Sequence, residues 1–287
     1  MNNEKNIPLK AGDMGFPISH SLSPRLHNYW ISKYKINGFY EAMEVRAECL
    51  SEALTRLREL NFIGVNLTLP LKEEALSLVD NIDPVAQRIG AINTIKIRAD
   101  GSLYGMNSDA FGFLENLKES VPASLRTIYQ SRPAVVLGAG GAARAICVAL
   151  LDLGVPEVRI SNRSPERAHK LVDNVPGLSE KSSVYSWDDR GNILAESGLL
   201  VNTTVLGMVG KKELDLDLQH LPMDAVVNDI VYVPLETDLL QRARKRGNNV
   251  VDGLGMILHQ GRLGFQEWFG VDPSVDDVLR QKVLSAL

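Results

Sequence analysis

Pro133-Ala-Val-Val-Leu-Gly138-Ala139-Gly140-Gly141-Ala142-Ala143-Arg144-Ala-Ile146 is the stretch that decides how this chain is built. Ala134 to Leu137 run without polar interruption between Pro133 and Gly138, which reads as a short buried strand. Ala142 to Leu153 is rich in Ala, Leu and Ile, contains no proline and is stopped by Gly154 and Pro156, which reads as a helix. Between them Gly138, Gly140 and Ala143 fit G-x-G-x-x-A. In that pattern the first glycine makes the tight turn, the second lets backbone approach a pyrophosphate, and the small third residue lets helix and strand pack closely. Unsatisfied amides at the helix start then hold the anion, so Gly138, Ala139, Gly140, Gly141 and Ala142 are candidate dinucleotide-binding residues.

The next strand, Glu157 to Ser161, ends at Asn162-Arg163-Ser164. Folds that bind NAD usually carry an acid here for the ribose 2′-hydroxyl. None of these three residues is acidic. Arg163 offers a fork of charged donors to a 2′-phosphate and Asn162 and Ser164 offer neutral ones, with Arg167 one turn further on, so NADP is favoured over NAD.

Composition bounds the rest. A chain of 287 residues is long for one core, and two domains are the natural expectation. Hydrophobic residues make up 45% and charged residues 23%, as in an ordinary globular protein. A net charge of -4 offers no basic field, which argues against nucleic acid as a partner. The first residues, Met1 to Asn6, lack a basic and an apolar segment of secretory type, and no apolar run approaches membrane-spanning length, so a cytoplasmic protein with no membrane partner is expected. Cys49 and Cys147 are far apart without C-x-x-C spacing, and the five histidines are scattered without a ligand-like pair, so no metal is expected. The sequence does not set the oligomeric state; a homodimer is compatible with it.

Ahead of the glycine turn the chain alternates strand and helix. Lys10 to Met14 is a weak strand candidate because Asp13 is polar where a buried strand would be apolar. In Ser21-Leu-Ser23-Pro24, Ser23 reads as an N-cap and Pro24 as the first helical residue. Both hydroxyls then lie at a positive helix end that suits a carboxylate or phosphate; capping alone would also explain Ser23. A helix over about 47–60 follows. Ile63 to Pro70 alternates with period two, which puts Asn66 and Thr68 on one face. Pro70 is expected to open a helix with Lys72 in its first turn and an amphipathic continuation over 74–86. Lys72 there opposes the helix dipole and is either a catalytic group beyond Thr68 or a solvated surface lysine.

Residues 91–97 and 103–105 read as hairpin arms about Asp100-Gly101. Asp109 precedes a helix over 111–117 and could simply cap it. Residues 119–132 read as the bridge between domains, and 177–192 gives no clear pattern. Later strands end at Asn202, before the loop Thr203 to Met208, and near Tyr232. In a doubly wound sheet such ends line the cofactor crevice. Asp252-Gly253-Leu-Gly255-Met256 starts a helix containing Gln260, and further helical patterns surround Trp268 and Leu279.

Taken together, Ser21 to Pro24, Asn66 to Lys72, Ala91-Ile-Asn93-Thr94, Asn107-Ser-Asp109, Gly138 to Arg144, Asn162 to Ser164, and Gly253 to Met256 with Gln260 resemble the shikimate dehydrogenase family, in the family order and over nearly the whole chain. The resemblance implies two α/β domains. A substrate-binding catalytic domain would span 1–108, completed by 253–287 as the C-terminal helices return to it. A Rossmann-like, doubly wound NADP-binding domain would span 109–252. It also implies reversible reduction of 3-dehydroshikimate to shikimate with NADPH, a step toward aromatic amino acids, with substrate in the cleft between domains.

Residue by residue, it implies that Ser21, Ser23 and Tyr232 hold the substrate carboxylate and that Asn66, Thr68, Asn93, Asp109 and Gln260 hold its hydroxyls. Lys72 and Asp109 match the catalytic pair, and Thr203, Met208, Gly253 and Met256 join the cofactor set. Ser108 stands where the family often has Thr, Asp13 roughens the first strand, and residues 202–208 vary a cofactor loop. The alternatives are a quinate/shikimate dehydrogenase using NAD, against which Arg163 speaks, and a nicotinamide-sensing protein, against which Lys72, Asp109 and Gln260 speak together.

Overall fold

A computed structural model describes residues 7–287, so the expectation resting on Met1 to Asn6 lies outside the described residues. In chain order the elements are β1 Leu9–Gly15, α1 Ser23–Lys33, β2 Gly38–Glu44, α2 Leu50–Glu59, β3 Phe62–Leu67, β4 Asn81–Ile82, α3 Pro84–Ile89, β5 Thr94–Ile97 and β6 Leu103–Met106. They continue with α4 Asp109–Ser120, α5 Ala123–Ser131, β7 Ala134–Leu137, α6 Gly141–Leu153, β8 Val158–Ser161, α7 Pro165–Asn174, β9 Ser182–Tyr185 and β10 Leu199–Asn202. The last are β11 Val226–Asp229, α8 Asp238–Arg246, β12 Asn249–Val251, α9 Gly253–Phe269 and α10 Asp277–Leu284. The backbone contacts group into two units, one holding the chain up to Ser108 together with Gln260–Leu287, the other holding Asp109–His259.

The first unit carries a sheet of order β2-β1-β3-β5-β6-β4. β1 pairs parallel with β2 and β3, while β5 runs antiparallel to both β3 and β6. One face is apolar: Met14, Val65 and Leu67 join Leu50, Leu54 and Leu57 of α2 in a buried cluster. On the other face His27 of α1 stacks on Tyr40 of β2 at 4.1 Å, and Trp30, Phe265 and Trp268 complete an aromatic layer. Trp268 Nε1 donates to Ile95 O at 3.0 Å, which ties α9 to the sheet. α10 docks on α1, where Tyr29 and Lys33 bind Asp276, the N-cap of α10.

The second unit is a six-stranded sheet, β12-β11-β10-β7-β8-β9, with every neighbouring pair parallel. Parallel strands need crossover helices, and their near-continuous runs of Val, Leu and Ile follow from burial on both faces. β7 and β10 are buried throughout. α6 ends where expected, at Gly154 in the left-handed region (φ 81°).

Three local expectations need correction, and one stretch without a pattern gains a strand. The helix expected from Pro70 through residue 86 is absent: turns cover 69–73, a short 3-10 segment covers Glu74–Ser77, and β4 and α3 follow. Pro84 cannot continue a helix, and Asp83 caps a new one by accepting from Val85 N and Ala86 N. Ser23 is not an N-cap but the first residue of α1, and Ser21 Oγ accepts from Ser23 N at 3.2 Å. The expected bridge over 119–132 contains α5, with Tyr129 buried. The patternless stretch 177–192 holds β9, whose partly buried edge position blurs the alternation that marks strands.

Candidate active site

In the second unit the strand order turns back on itself between β7 and β10, and such a switch point leaves a crevice at the carboxyl ends of the strands. Gly138 follows β7 directly with φ 111°, and a Cβ there would stand 2.5 Å from Thr203 Oγ1, so glycine is the residue that fits. Thr203 closes the other side, donating to Leu137 O from its amide (2.9 Å) and its hydroxyl (2.7 Å). Around Gly140 and Gly141 a Cβ would meet nothing within 4 Å, and no side chain caps α6. Open space over glycine backbone at an uncapped helix start, with Ala139 and Ala142 beside it, is the cradle a pyrophosphate requires. The residues present fit a dinucleotide.

At the tip of β8, Ser164 caps α7 by accepting from Arg167 N at 3.4 Å, and Asn162 Nδ2 donates to Ser164 O at 2.9 Å. Arg163 and Arg167 are exposed. The Ser164 hydroxyl donates to Glu166 Oε2 at 2.7 Å, and this hydrogen bond lowers the Glu166 pKa. To donate to a 2′-phosphate that hydroxyl would have to exchange Glu166 for it.

A buried network also escaped the sequence. Asp229, fully buried at the end of β11, accepts from Asn202 Nδ2 (2.9 Å), Val231 N (3.0 Å) and Thr237 Oγ1 (2.7 Å). Asn202 Oδ1 in turn accepts from Thr204 N (3.0 Å) and Thr204 Oγ1 (2.8 Å), which shapes the loop leading to Met208. Burial raises the Asp229 pKa to about 6 despite these donors. The signal available was a polar residue at the end of two apolar strands. Tyr232 follows β11 and is half-buried; burial raises its pKa. Gly253 opens α9 against the backbone of Ile230 and Val231, with Met256 buried one turn on. Asp109 is buried at the start of α4.

In the first unit one sheet end gathers most of the expected substrate residues. β1 and β3 are parallel with Met14 beside Leu67, so the loops after them leave on the same side, and Thr68 N donates to Met14 O at 2.9 Å. The first brings Ser21 and Ser23; the second brings Thr68 and Lys72, whose carbonyl accepts from Ile92 N at 2.7 Å. β5 begins at that end because it runs opposite to β3, which puts Asn93 there; its Oδ1 accepts from Ser108 N (2.8 Å), Ser108 Oγ (3.2 Å) and Thr94 Oγ1 (2.9 Å). Asn66 donates to Asn93 O (3.1 Å) and Thr94 Oγ1 (3.0 Å), while its Oδ1 accepts from Tyr40 OH (2.8 Å). A ligand hydroxyl at Asn66 would exchange with one of these partners. Gln260 is half-buried beside Gly261, which packs on Leu26 of α1.

A doubly wound sheet with a glycine turn at its switch point, together with an α/β unit gathering hydroxyls, amides and a lysine at one sheet end, defines a two-domain dehydrogenase of the nicotinamide-dinucleotide kind. Comparison with known proteins agrees. Residues 14–95 match the shikimate dehydrogenase substrate binding domain, 123–209 the shikimate / quinate 5-dehydrogenase family, and 253–281 the shikimate 5'-dehydrogenase C-terminal domain. Shikimate dehydrogenase (NADP(+)) of Paramagnetospirillum magneticum is 52% identical over 275 residues, covering 96% of this chain and 98% of its own. The crystal structure of shikimate 5-dehydrogenase from Thermus thermophilus in complex with NADP(H) and shikimate superposes with a TM-score of 0.84 at 38% identity, covering 97% of this chain and all of its own. Quinate dehydrogenase from Corynebacterium glutamicum in complex with NAD gives 0.89 at 29% identity, over 97% of this chain and 99% of its own. The chain belongs to the shikimate dehydrogenase family.

Proposed function

We propose that this protein catalyses the reversible NADP-linked reduction of 3-dehydroshikimate to shikimate, in the biosynthesis of aromatic amino acids. The carrying observation is the tip of β8: Asn162-Arg163-Ser164 offers a guanidinium and no carboxylate, in a chain about half identical to relatives named for NADP. Gly138 to Ala142 would cradle the pyrophosphate, Asn162, Arg163, Ser164 and Arg167 would face the 2′-phosphate, and Thr203, Met208, Gly253 and Met256 would complete the cofactor set. When bound, the reduced nicotinamide supplies the hydride.

The remaining work falls to side chains. Ser21, Ser23 and Tyr232 hold the substrate carboxylate; Asn66, Thr68, Asn93, Asp109 and Gln260 hold its hydroxyls. As hydride adds to the ketone carbon the carbonyl π pair moves onto oxygen, and Lys72 meets that charge with its ammonium and a proton, with Asp109 orienting it. Lys72 sits on a turn fixed at both ends, by Thr68 N on Met14 O and by Ile92 N on its own carbonyl, which limits where its side chain can start. Such anchoring suits a group that must meet one atom of a small ligand.

Initial rates with shikimate and with quinate, each with NADP and with NAD, test the reading. Shikimate with NADP should give the highest kcat/KM of the four pairs. A preference for quinate with NAD would overturn it in favour of the quinate-type alternative.

A further inference from the structure

Asp13 has no part in the catalytic reading, yet its setting is unusual for a carboxylate. It lies in the middle of β1 at 3% exposure. Its Oδ2 takes the hydroxyl of Ser21, and its Oδ1 is buried without any partner. β3 sets Asn66 beside it in register, and β2 contributes Tyr40, a phenol whose pKa is pushed well up by burial and by the charge of Asp13. α1 contributes Ser23 and, stacked on Tyr40, His27, which burial keeps neutral at neutral pH with a pKa of about 3. No cation from these elements helps to hold a charge on Asp13. The same Ser21 oxygen also accepts from Ser23 N at 3.2 Å.

We propose that Asp13 is a positioning residue that couples capture of the substrate carboxylate by Ser21 to the uptake of one proton on Asp13. The proposal rests on the reading in which Ser21 holds that carboxylate. A serine hydroxyl has one proton. With Asp13 ionised, Ser21 gives that proton to Oδ2 and can present only lone pairs to an arriving anion. Two carboxylates would then share one hydroxyl in surroundings of low polarity, where like charges repel strongly. With Asp13 protonated, its O–H donates to Ser21 Oγ and the serine proton turns to the substrate. Ser21 Oγ then accepts from Asp13 and Ser23 N and donates once, so its valences are filled. The proton comes from solvent on binding and returns to it on release. Burial places the Asp13 pKa at about 6, so both protonation states are populated near neutrality.

The test is the KM for shikimate from pH 6 to 9 in the wild type, Asp13→Asn and Ser21→Ala, with the KM for NADP as the control. In the wild type the shikimate KM should rise about tenfold or more from pH 6 to 8, within the limit of tenfold per pH unit for one coupled proton. In Asp13→Asn a permanent N–H donor faces Ser21, so the rise should vanish and the KM at pH 8 should fall below the wild-type value. The NADP KM should follow neither change. An Asp13→Asn profile as steep as the wild type's overturns the proposal. A shikimate KM unaltered by Ser21→Ala instead overturns the carboxylate assignment on which it stands. Calorimetry of shikimate binding to the wild-type protein at pH 7, in two buffers of different ionisation enthalpy, gives a reading that needs no variant. Uptake of a fraction of a proton supports the coupling, and zero uptake refutes it.

Discussion

Replacing Asp229 by Asn should change the pH dependence of stability more than stability itself. The wild-type carboxyl is fully buried with three donors on it, and burial lifts its pKa from an ordinary 3.8 to about 6. A folded state that holds its proton more tightly than the unfolded chain is most favoured below the unfolded pKa, and loses that advantage as pH rises through the folded one. The difference between 3.8 and about 6, at about 1.4 kcal/mol per pH unit, amounts to about 3 kcal/mol in full, of which about 2 kcal/mol is lost between pH 4 and 7 because pH 4 already lies above the unfolded value. Asn cannot titrate. Its amide nitrogen can donate to Thr237 Oγ1 while its oxygen keeps Asn202 and Val231, so the network survives. Asp13 titrates over the same range in both proteins and cancels in the comparison. The stability of Asp229→Asn relative to wild type should therefore rise by about 2 kcal/mol from pH 4 to pH 7. Urea unfolding at four pH values measures it, reading the transition that moves when NADP is added, since ligand stabilises the unit that binds it. A difference constant within about 0.5 kcal/mol across that range refutes the buried-carboxyl argument.

Other changes give simpler readouts. Lys72→Ala should lower kcat by about 10²- to 10⁴-fold with little change in the shikimate KM, and near-normal turnover would end its catalytic assignment. Arg163→Ala should weaken NADP by about 1.5 to 3 kcal/mol and leave NAD almost untouched, as competitive titrations would show; an equal loss for both would mean that it does not meet a 2′-phosphate. Gly138→Ala forces a side chain into φ 111° and against Thr203, so it should cost about 1 to 3 kcal/mol of stability by urea unfolding and also raise the NADP KM.

Much of the candidate site was legible because its signals are local. The glycine turn states its own geometry: Gly138 needs a positive φ, Gly140 and Gly141 leave open space over the backbone, and the Ala-rich helix after them stops at Gly154. The tip of β8 was readable for the same reason, since three consecutive residues carry the charge argument. Where a reading depended on what lies across the fold, it slipped. Residues 70–86 have a helical rhythm, yet Asp80 Oδ2 accepts from Leu103 N and Asn81–Ile82 pair with β6, so the sheet takes the segment the pattern would have coiled. β9 was missed because its four residues are all half-buried, which leaves no contrast between faces.

The sequence by itself determined the doubly wound unit, its glycine turn and the family, because strand, turn and helix propensities act over short distances along the chain. Only the tertiary structure decided which polar residues the protein keeps for itself. In the sequence Asp13 only roughens a strand, Asn202 is only a strand end, and Asp229 does not stand out by itself. Burial gives them meaning, since a polar group removed from water must find its partners in side chains far away in sequence, and those meetings exist only once the sheets have formed.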